Sequence, residues 1–337
     1  MSELVIVITD LYLGAESGTA PVPRGTLPGL EALGRFARAA PLPDGWRPWV
    51  AHWLDLARYG ALPVASVAAA ALGEAPGDAL WLAEPLSLTE GVGRVHLERR
   101  GRLRLTPAEA MRLAQDFNAL YAGSGLTLTV LPDGTLLLGA PAGAPVRTWD
   151  PARLPAESLA ERLPSGPGAA ELRRLGSELE MWLYTHPLNA ERAARGAPPI
   201  SQLWIWGGGA GAAAPLAGAP LHAEVYGEEA YLAGLATLGA GTLRAPPDAL
   251  AAVLAAAAGR MLCALESGEA LRRVRQADLL GALADLDQRW IAPAVAALGA
   301  GSLQRLWLLA NDRAWCLRRH DLWRRWRRGR TALEALA

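Results

Sequence analysis

The sequence predicts an α/β fold: a mostly parallel sheet with helices on both faces, carrying a small inserted α+β subdomain. Three observations support this. Short unbroken apolar runs bounded by turn residues, residues 4–8 (LVIVI) and 203–206 (LWIW), suit strands covered on both faces. Segments with apolar residues at helical spacing alternate with such runs, the order expected when helices join the strands of one sheet. Between residues 86 and 145 the pattern changes to strand-like runs, one helix and a hairpin. The chain therefore divides into a core of residues 1–85 and 146–337 and an inserted β-α-β-β subdomain over 86–145.

Residues 4–8 form the first core strand, which runs into Thr9-Asp10. Gly25-Thr26-Leu27-Pro28 then leads into a helix carrying Leu30, Leu33, Phe36 and Ala37, with proline where a first helical turn accepts it. A second helix is predicted over 46–59, with Trp46, Trp49, Trp53, Leu54 and Leu56 toward the core. In the insertion, 94–98 and 102–105 are strand-like, and Thr106-Pro107-Ala108-Glu109 is a capping-box start for a helix to about Tyr121. Residues 126–131, the turn Pro132-Asp133-Gly134 and residues 135–138 make a hairpin signal. Residues 140–168, rich in Pro and Gly, return the chain to the core, and a long helix over 169–184 follows. Beyond the 203–206 strand, helices are predicted over 230–235, over 249–258 with Asp248 as N-cap, and over 271–290 with Leu279, Leu280, Leu283 and Leu286 on its apolar side. A late strand over 303–309 ends in Ala310-Asn311-Asp312-Arg313, and an Arg- and Trp-rich element covers 318–330.

Composition narrows the function classes. The longest apolar run, 249–258, is far short of the ~20 residues a membrane span needs, so no membrane role is expected. No basic stretch precedes residues 4–8, which are taken as core rather than as a signal peptide, and a cytoplasmic location is expected. The 33 basic residues, all Arg, balance 33 acidic ones, so no whole-molecule field favours nucleic acid. The absence of Lys and scarcity of Asn point to base-composition bias in a GC-rich genome. Cys263 and Cys316 lack CxxC spacing, which argues against a disulfide framework and a cysteine zinc site; both are expected to be buried apolar residues.

Chemistry concentrates in His186-Pro187-Leu188-Asn189-Ala190-Glu191-Arg192-Ala193-Ala194-Arg195 and in the glycines Gly207, Gly208, Gly209 and Gly211 that follow the 203–206 strand. Asn189 and Arg192 share a face if this segment is a helical turn. Arg192 and Arg195 could grip a phosphate or carboxylate with paired donors, and glycines at the carboxyl end of a strand let a ligand approach the backbone. His186, Asn189, Arg192, Arg195, Gly207, Gly208 and Gly209 are thus the candidate anion-binding residues. The glycines match neither a GxxxxGK[ST] loop nor a full GxGxxG fingerprint, and glycine-rich loops also follow strands that bind nothing. The seven arginines of 318–330, interleaved with Trp323 and Trp326, could face an acidic partner; the competing reading is a terminal helix whose tryptophans pack on the core.

The segments TLPGLEAL (26–33), LTPAEAMRLAQDFNALYAGSGLTL (105–128), HPLNAERAARGAPPISQLWIWGGG (186–209) and the terminal WRRWRR (323–328) together resemble the RpfE-type regulatory protein family. That family is itself similar to the archaeal type of cofactor-independent phosphoglycerate mutase in the alkaline phosphatase superfamily. The resemblance implies an alkaline-phosphatase-like α/β core with a substrate-side insertion. For the mutases it also implies two divalent metals and a phosphorylated Ser. Asp10 sits where the first metal carboxylate would be, and Asp312 is a second remnant candidate. The Asp-His pair that ends the mutases' late strand is replaced by Asn311-Asp312-Arg313, and Arg does not ligate a cation. The five histidines (His52, His96, His186, His222, His320) form no HxH or HxxxH pair, and Ser17, Thr19 and Thr26 lack the context of that nucleophile. The expectation is a degenerate mutase-like pseudoenzyme that needs no cofactor. It would bind a small phosphorylated or carboxylated metabolite, or a protein partner, as a regulatory module. The alternative is an active mutase or phosphatase with a rearranged site holding Mn, Zn or Mg.

Overall fold

The computed structural model describes residues 2–9, 11, 25–56, 62–72, 77–91, 94–154, 159–210, 223–239, 241–256, 259–266, 276–310 and 312–323. Along the chain come β1 (Glu3–Ile8), α1 (Pro28–Phe36), β2 (Arg38–Pro41), α2 (Trp46–Trp53), α3 (Val64–Ala69), β3 (Ala79–Gly91), β4 (Arg94–Arg102), α4 (Pro107–Leu120), β5 (Thr127–Val130) and β6 (Leu136–Ala140). Then follow α5 (Ala169–Tyr184), α6 (Pro187–Ala194), β7 (Gln202–Ala210), β8 (Glu224–Tyr226), α7 (Ala230–Leu238), β9 (Leu243–Arg244), α8 (Leu250–Ala256) and β10 (Arg260–Leu265). The last are α9 (Gln276–Leu286), a π-helical turn (Asp287–Ile291), α10 (Ala292–Ala300), β11 (Arg305–Ala310) and β12 (Arg313–Arg318). Among the described residues, no helix is long and apolar enough to cross a membrane.

The chain forms two compact units: Met1–Arg58 with Ala219–Glu228 and Ala240–Ala337, and Tyr59–Gly218 with Glu229–Gly239. The second unit is wider than the insertion read at 86–145, because β3 and β7, outside or only partly inside that window, are its central strands.

In the first unit a seven-stranded sheet runs β2-β12-β11-β1-β10-β8-β9. β11, β1, β10, β8 and β9 pair in parallel; β12 turns back antiparallel to β11, and β2 is antiparallel to β12. Alternation sorts the side chains by face. Leu4, Ile6, Ile8, Met261, Cys263, Leu306 and Leu308 join one core with Leu30 and Leu33 of α1, Leu283 and Leu286 of α9 and Leu298 of α10. Val5, Val7, Leu262 and Leu309, of opposite phase, are buried too, and Trp49 of α2 meets Trp307 edge-on at 5.0 Å on that other face. Cys263 is buried, which pushes its thiol up to about 12; Cys316 is half-buried. Helix α2 stops at Trp53 instead of reaching 59, and Asp55 adopts a left-handed φ of 66° just beyond it.

Helix α1 starts without a local cap, because Leu27 offers no side-chain acceptor. Asp287, on the π-helical turn, supplies one: Gly29 N–H donates to Oδ2 (3.0 Å) and Leu30 N–H to Oδ1 (2.7 Å). A Cβ on Gly29 would stand 2.5 Å from Ala292 N and 2.7 Å from Asp287 Oδ1, so glycine permits this approach.

The second unit corrects the expectation of a mostly parallel molecule. Its sheet, β4-β3-β6-β5 with β7 also on β3, is antiparallel throughout. Both of its faces are nonetheless covered. Trp81, Ala83, Leu203 and Ile205 pack with Leu113, Phe117, Leu179 and Leu188 of α4, α5 and α6. Leu80, Leu82, Trp204 and Trp206 pack with Ala65, Ala68 and Ala230 of α3 and α7. Double-sided burial produced the continuous LWIW run, and that pattern says nothing of strand direction. Within 86–145 the end of β3 and β4 precede α4, β5 and β6, a β-β-α-β-β order where β-α-β-β is expected, and residues 103–105 lie outside any strand.

Candidate functional site

Helix α6 organises the candidate residues of the second unit. His186 is its N-cap in extended conformation, Pro187 needs no acceptor, and the Leu188 N–H donates to His186 Nδ1 at 3.2 Å. Because Nδ1 accepts, the neutral ring carries its proton on Nε2, which lies 3.2 Å from Asp116 Oδ2. The imidazole is buried edge-on to Trp182, 4.7 Å between ring centroids. Burial holds its pKa below the usual 6.5, Arg112 pushes the same way, and Asp116 and Glu191 oppose it.

Asn189 uses both ends of its amide. Nδ2 donates to Leu183 O (2.8 Å) and Ile200 O (2.9 Å), while Oδ1 accepts the Ile200 N–H (2.8 Å). It ties the end of α5 and the approach to β7 onto α6, a task that requires a donor and an acceptor on one short side chain.

Arg192 is buried; its Nε donates to Pro198 O (2.8 Å) and its Nη1 to Glu109 Oε1 (2.7 Å). Arg195 Nη2 donates to the same Glu109 oxygen (2.8 Å), but its side chain is 56% exposed against 6% for Arg192. Glu109 Oε2 accepts the Thr106 N–H (2.8 Å), and Thr106 Oγ1 accepts the Glu109 N–H (3.2 Å), completing the predicted capping box of α4. Burial alone would raise the Glu109 pKa; the Thr106 N–H and the Arg192 charge outweigh it and hold the carboxyl below 4.5. Alongside, Arg112 pairs with Glu191 (2.6 Å) and approaches Asp116 (3.7 Å).

The structure therefore brings His186, Asn189, Arg192 and Arg195 together and commits the first three to internal partners. Glu109, Arg112 and Asp116 complete the network. Their spacing of three and four residues already placed them on one face of α4, though nothing local named α6 as the neighbour. Around Glu109 two guanidiniums share one carboxylate, so the positive surplus falls on Arg195, the exposed one.

Gly207, Gly208 and Gly209 lie within β7, a correction to the ligand loop expected there. Leu82 pairs with Trp206 and Leu80 with Gly209, so Gly207 and Gly208 together oppose Trp81 in a β-bulge. Gly207 has φ +69°, and a Cβ on Gly208 would stand 2.0 Å from Leu80 O and 2.4 Å from the Trp81 ring. The close approach that glycines permit is made by Leu80 and Trp81 of β3.

Asp10 lies outside the described residues. Thr9, at the carboxyl end of β1, donates both its N–H and its hydroxyl to Leu265 O at 3.0 Å. Asp312, in the first unit, sits in the two-residue β11–β12 connection, since Ala310 pairs with Arg313; its φ is +52° and its carbonyl accepts the Leu42 N–H (2.6 Å). Arg313 enters β12 directly, and among the described residues no three His, Cys, Asp or Glu converge as a metal centre requires.

No family model matches the chain, and no curated protein matches it. Among solved structures it is similar to the cofactor-independent phosphoglycerate mutase from Thermoplasma acidophilum DSM 1728, at 16% identity, 94% of this chain, 89% of that chain and a TM-score of 0.38. It is also similar to the PH0037 protein from Pyrococcus horikoshii, at 14% identity, 94% of this chain, 87% of that chain and a TM-score of 0.46.

Proposed function

We propose that this chain is a non-catalytic, phosphoglycerate-mutase-like protein of the RpfE type that binds a small phosphorylated or carboxylated metabolite and acts as a regulatory module. The carrying observation is the Glu109 cluster: one buried carboxylate holds two guanidiniums, and Arg195 keeps donors open to solvent. Arg195 can dock an anion, but a guanidinium does not deprotonate and so transfers no proton. His186, the group nearby suited to acid–base work, is buried with Nδ1 engaged as a helix cap. The ligand class is the one implied by the resemblance of segment 186–209 to the mutase-like family; Arg195 is the contact in this reading, and Asn189 and Arg192 support it. No cofactor enters this reading.

Titration calorimetry with 3-phosphoglycerate, beside a mutase assay supplemented with Mn, Zn and Mg, tests it. Binding without turnover is expected, weakened about tenfold by Arg195→Ala, the loss of one charge-assisted contact. Mutase turnover that vanishes on Asp10→Asn would replace this reading with that of an active metal-dependent enzyme.

A further inference from the structure

We infer that Arg147 and Arg162, gathered on the indole of Trp149, form a second anion site in the same unit, one that selects the phosphate dianion. The guanidinium carbons lie 4.7 and 4.3 Å from the centroid of that one ring. Each contact attracts a cation to the ring, but two like charges assembled on one indole repel each other. Arg102, Arg112, Arg174, Arg192 and Arg195 of this unit each face a carboxylate; among the described residues Arg147 and Arg162 have none. An anion shared by the two would turn their repulsion into attraction.

The backbone beneath them is fixed. Arg147 and Ser165 exchange both backbone hydrogen bonds (2.8 and 3.0 Å), and Thr148 Oγ1 accepts the Gly207 N–H at 3.2 Å. Trp149 O accepts Trp204 Nε1–H at 2.8 Å, and Arg162 closes the 3-10 turn Leu159–Arg162. Both arginines thus leave an ordered backbone and meet one ring before any ligand arrives, which lowers the ordering cost of binding. Two positive charges on one ring match a doubly charged ligand, and guanidinium forks match the oxygens of a tetrahedral oxyanion better than a point charge does. With the indole already stacked by arginine, the site suits a phosphate group rather than a nucleobase. This goes beyond the Arg195 reading and does not depend on it.

The test is calorimetric titration of inorganic phosphate into the full chain above about pH 7.5, where a phosphate carries close to two charges, with acetate at matched ionic strength as comparison. Phosphate is expected to bind in preference to acetate. Arg147→Ala/Arg162→Ala should weaken that binding about tenfold or more, whereas Arg195→Ala should leave this site's affinity unchanged. Arg147→Lys/Arg162→Lys, which keeps the charge and loses the planar fork, should also weaken it, and decides the matter if circular dichroism shows the alanine pair unfolded. Equal affinity in the wild type and the arginine-pair variants overturns the proposal, as does a wild type that prefers neither anion. Phosphate binding abolished by Arg195→Ala alone would leave the α6 reading standing and remove this one.

Discussion

Helices α1 and α6 start alike and are finished differently. Each has proline in its first turn and backbone N–H groups just beyond that need acceptors. In α6 the acceptor is His186, two residues from the N–H it receives. In α1 it is Asp287, 258 residues from Gly29, fully buried on a π-helical turn. A local cap finishes one helix. A remote cap also fastens that helix to the elements carrying it, here α1 to the α9–α10 run. Glu109 does both, capping α4 from three residues away and holding Arg192 from 83 away.

The comparison can be broken or sharpened by substitution, beginning with the largest effect. Glu109→Gln leaves Arg192 buried without a counter-charge and should destabilise the second unit by about 3–5 kcal/mol in urea denaturation. Asp287→Ala orphans two buried N–H groups and should lose about 2–3 kcal/mol, with faster hydrogen exchange at Gly29 and Leu30. A loss no greater than that of His186→Ala would show that reach across the fold adds nothing. Gly29→Ala forces a methyl against Ala292 and Asp287 and should cost about 1–3 kcal/mol, read as a lower thermal midpoint. His186→Ala removes a local cap and should cost about 1 kcal/mol.

Acid separates the caps by sign. Burial raises the Asp287 pKa above 3.8, Glu31 adds to it, and the two N–H groups only partly offset it. The folded first unit therefore binds this proton more tightly than the unfolded chain, and this group's contribution grows as pH falls through its folded value. Glu109, held below 4.5, contributes fully above that value and loses its contribution as pH falls through its lower folded pKa. His186, held below 6.5, likewise stabilises above 6.5 and ceases to do so as pH falls toward its folded value. Hydrogen exchange between neutral pH and about pH 4 should show protection weakening at Leu188 while this term favours retention at Leu30. Parallel loss at both would refute the assignment of opposite signs.

These helix starts also explain how much could be read from the sequence. The Thr106–Glu109 capping box, the β5–β6 hairpin and the full extent of α5 rest on neighbours a few residues apart, and all are found where the residues placed them. β10 went unread because the apolar run in Arg260–Leu265 lies between two helical patterns and has no period of its own. β3 went unread because it carries Glu84 and Pro85, residues that disfavour a strand unless its partners are known. At the candidate site the shared face of Asn189 and Arg192 was legible from their spacing. Their acceptors were not, since Glu109 comes from another helix and the glycines answer to Trp81 of another strand.

The bulge in β7 gives that strand one residue of slack. In a regular ladder, losing a residue is a frameshift that turns every later side chain to the opposite face. Loss of Ile205 would turn Trp206 off the face it shares with Trp204 before the bulge restores the register. Loss of Gly207 would instead leave Gly208 alone opposite Trp81, with Trp206 still against Leu82 and Gly209 still against Leu80. A deletion that misplaces a core tryptophan two residues earlier is, at Gly207, one the sheet can absorb.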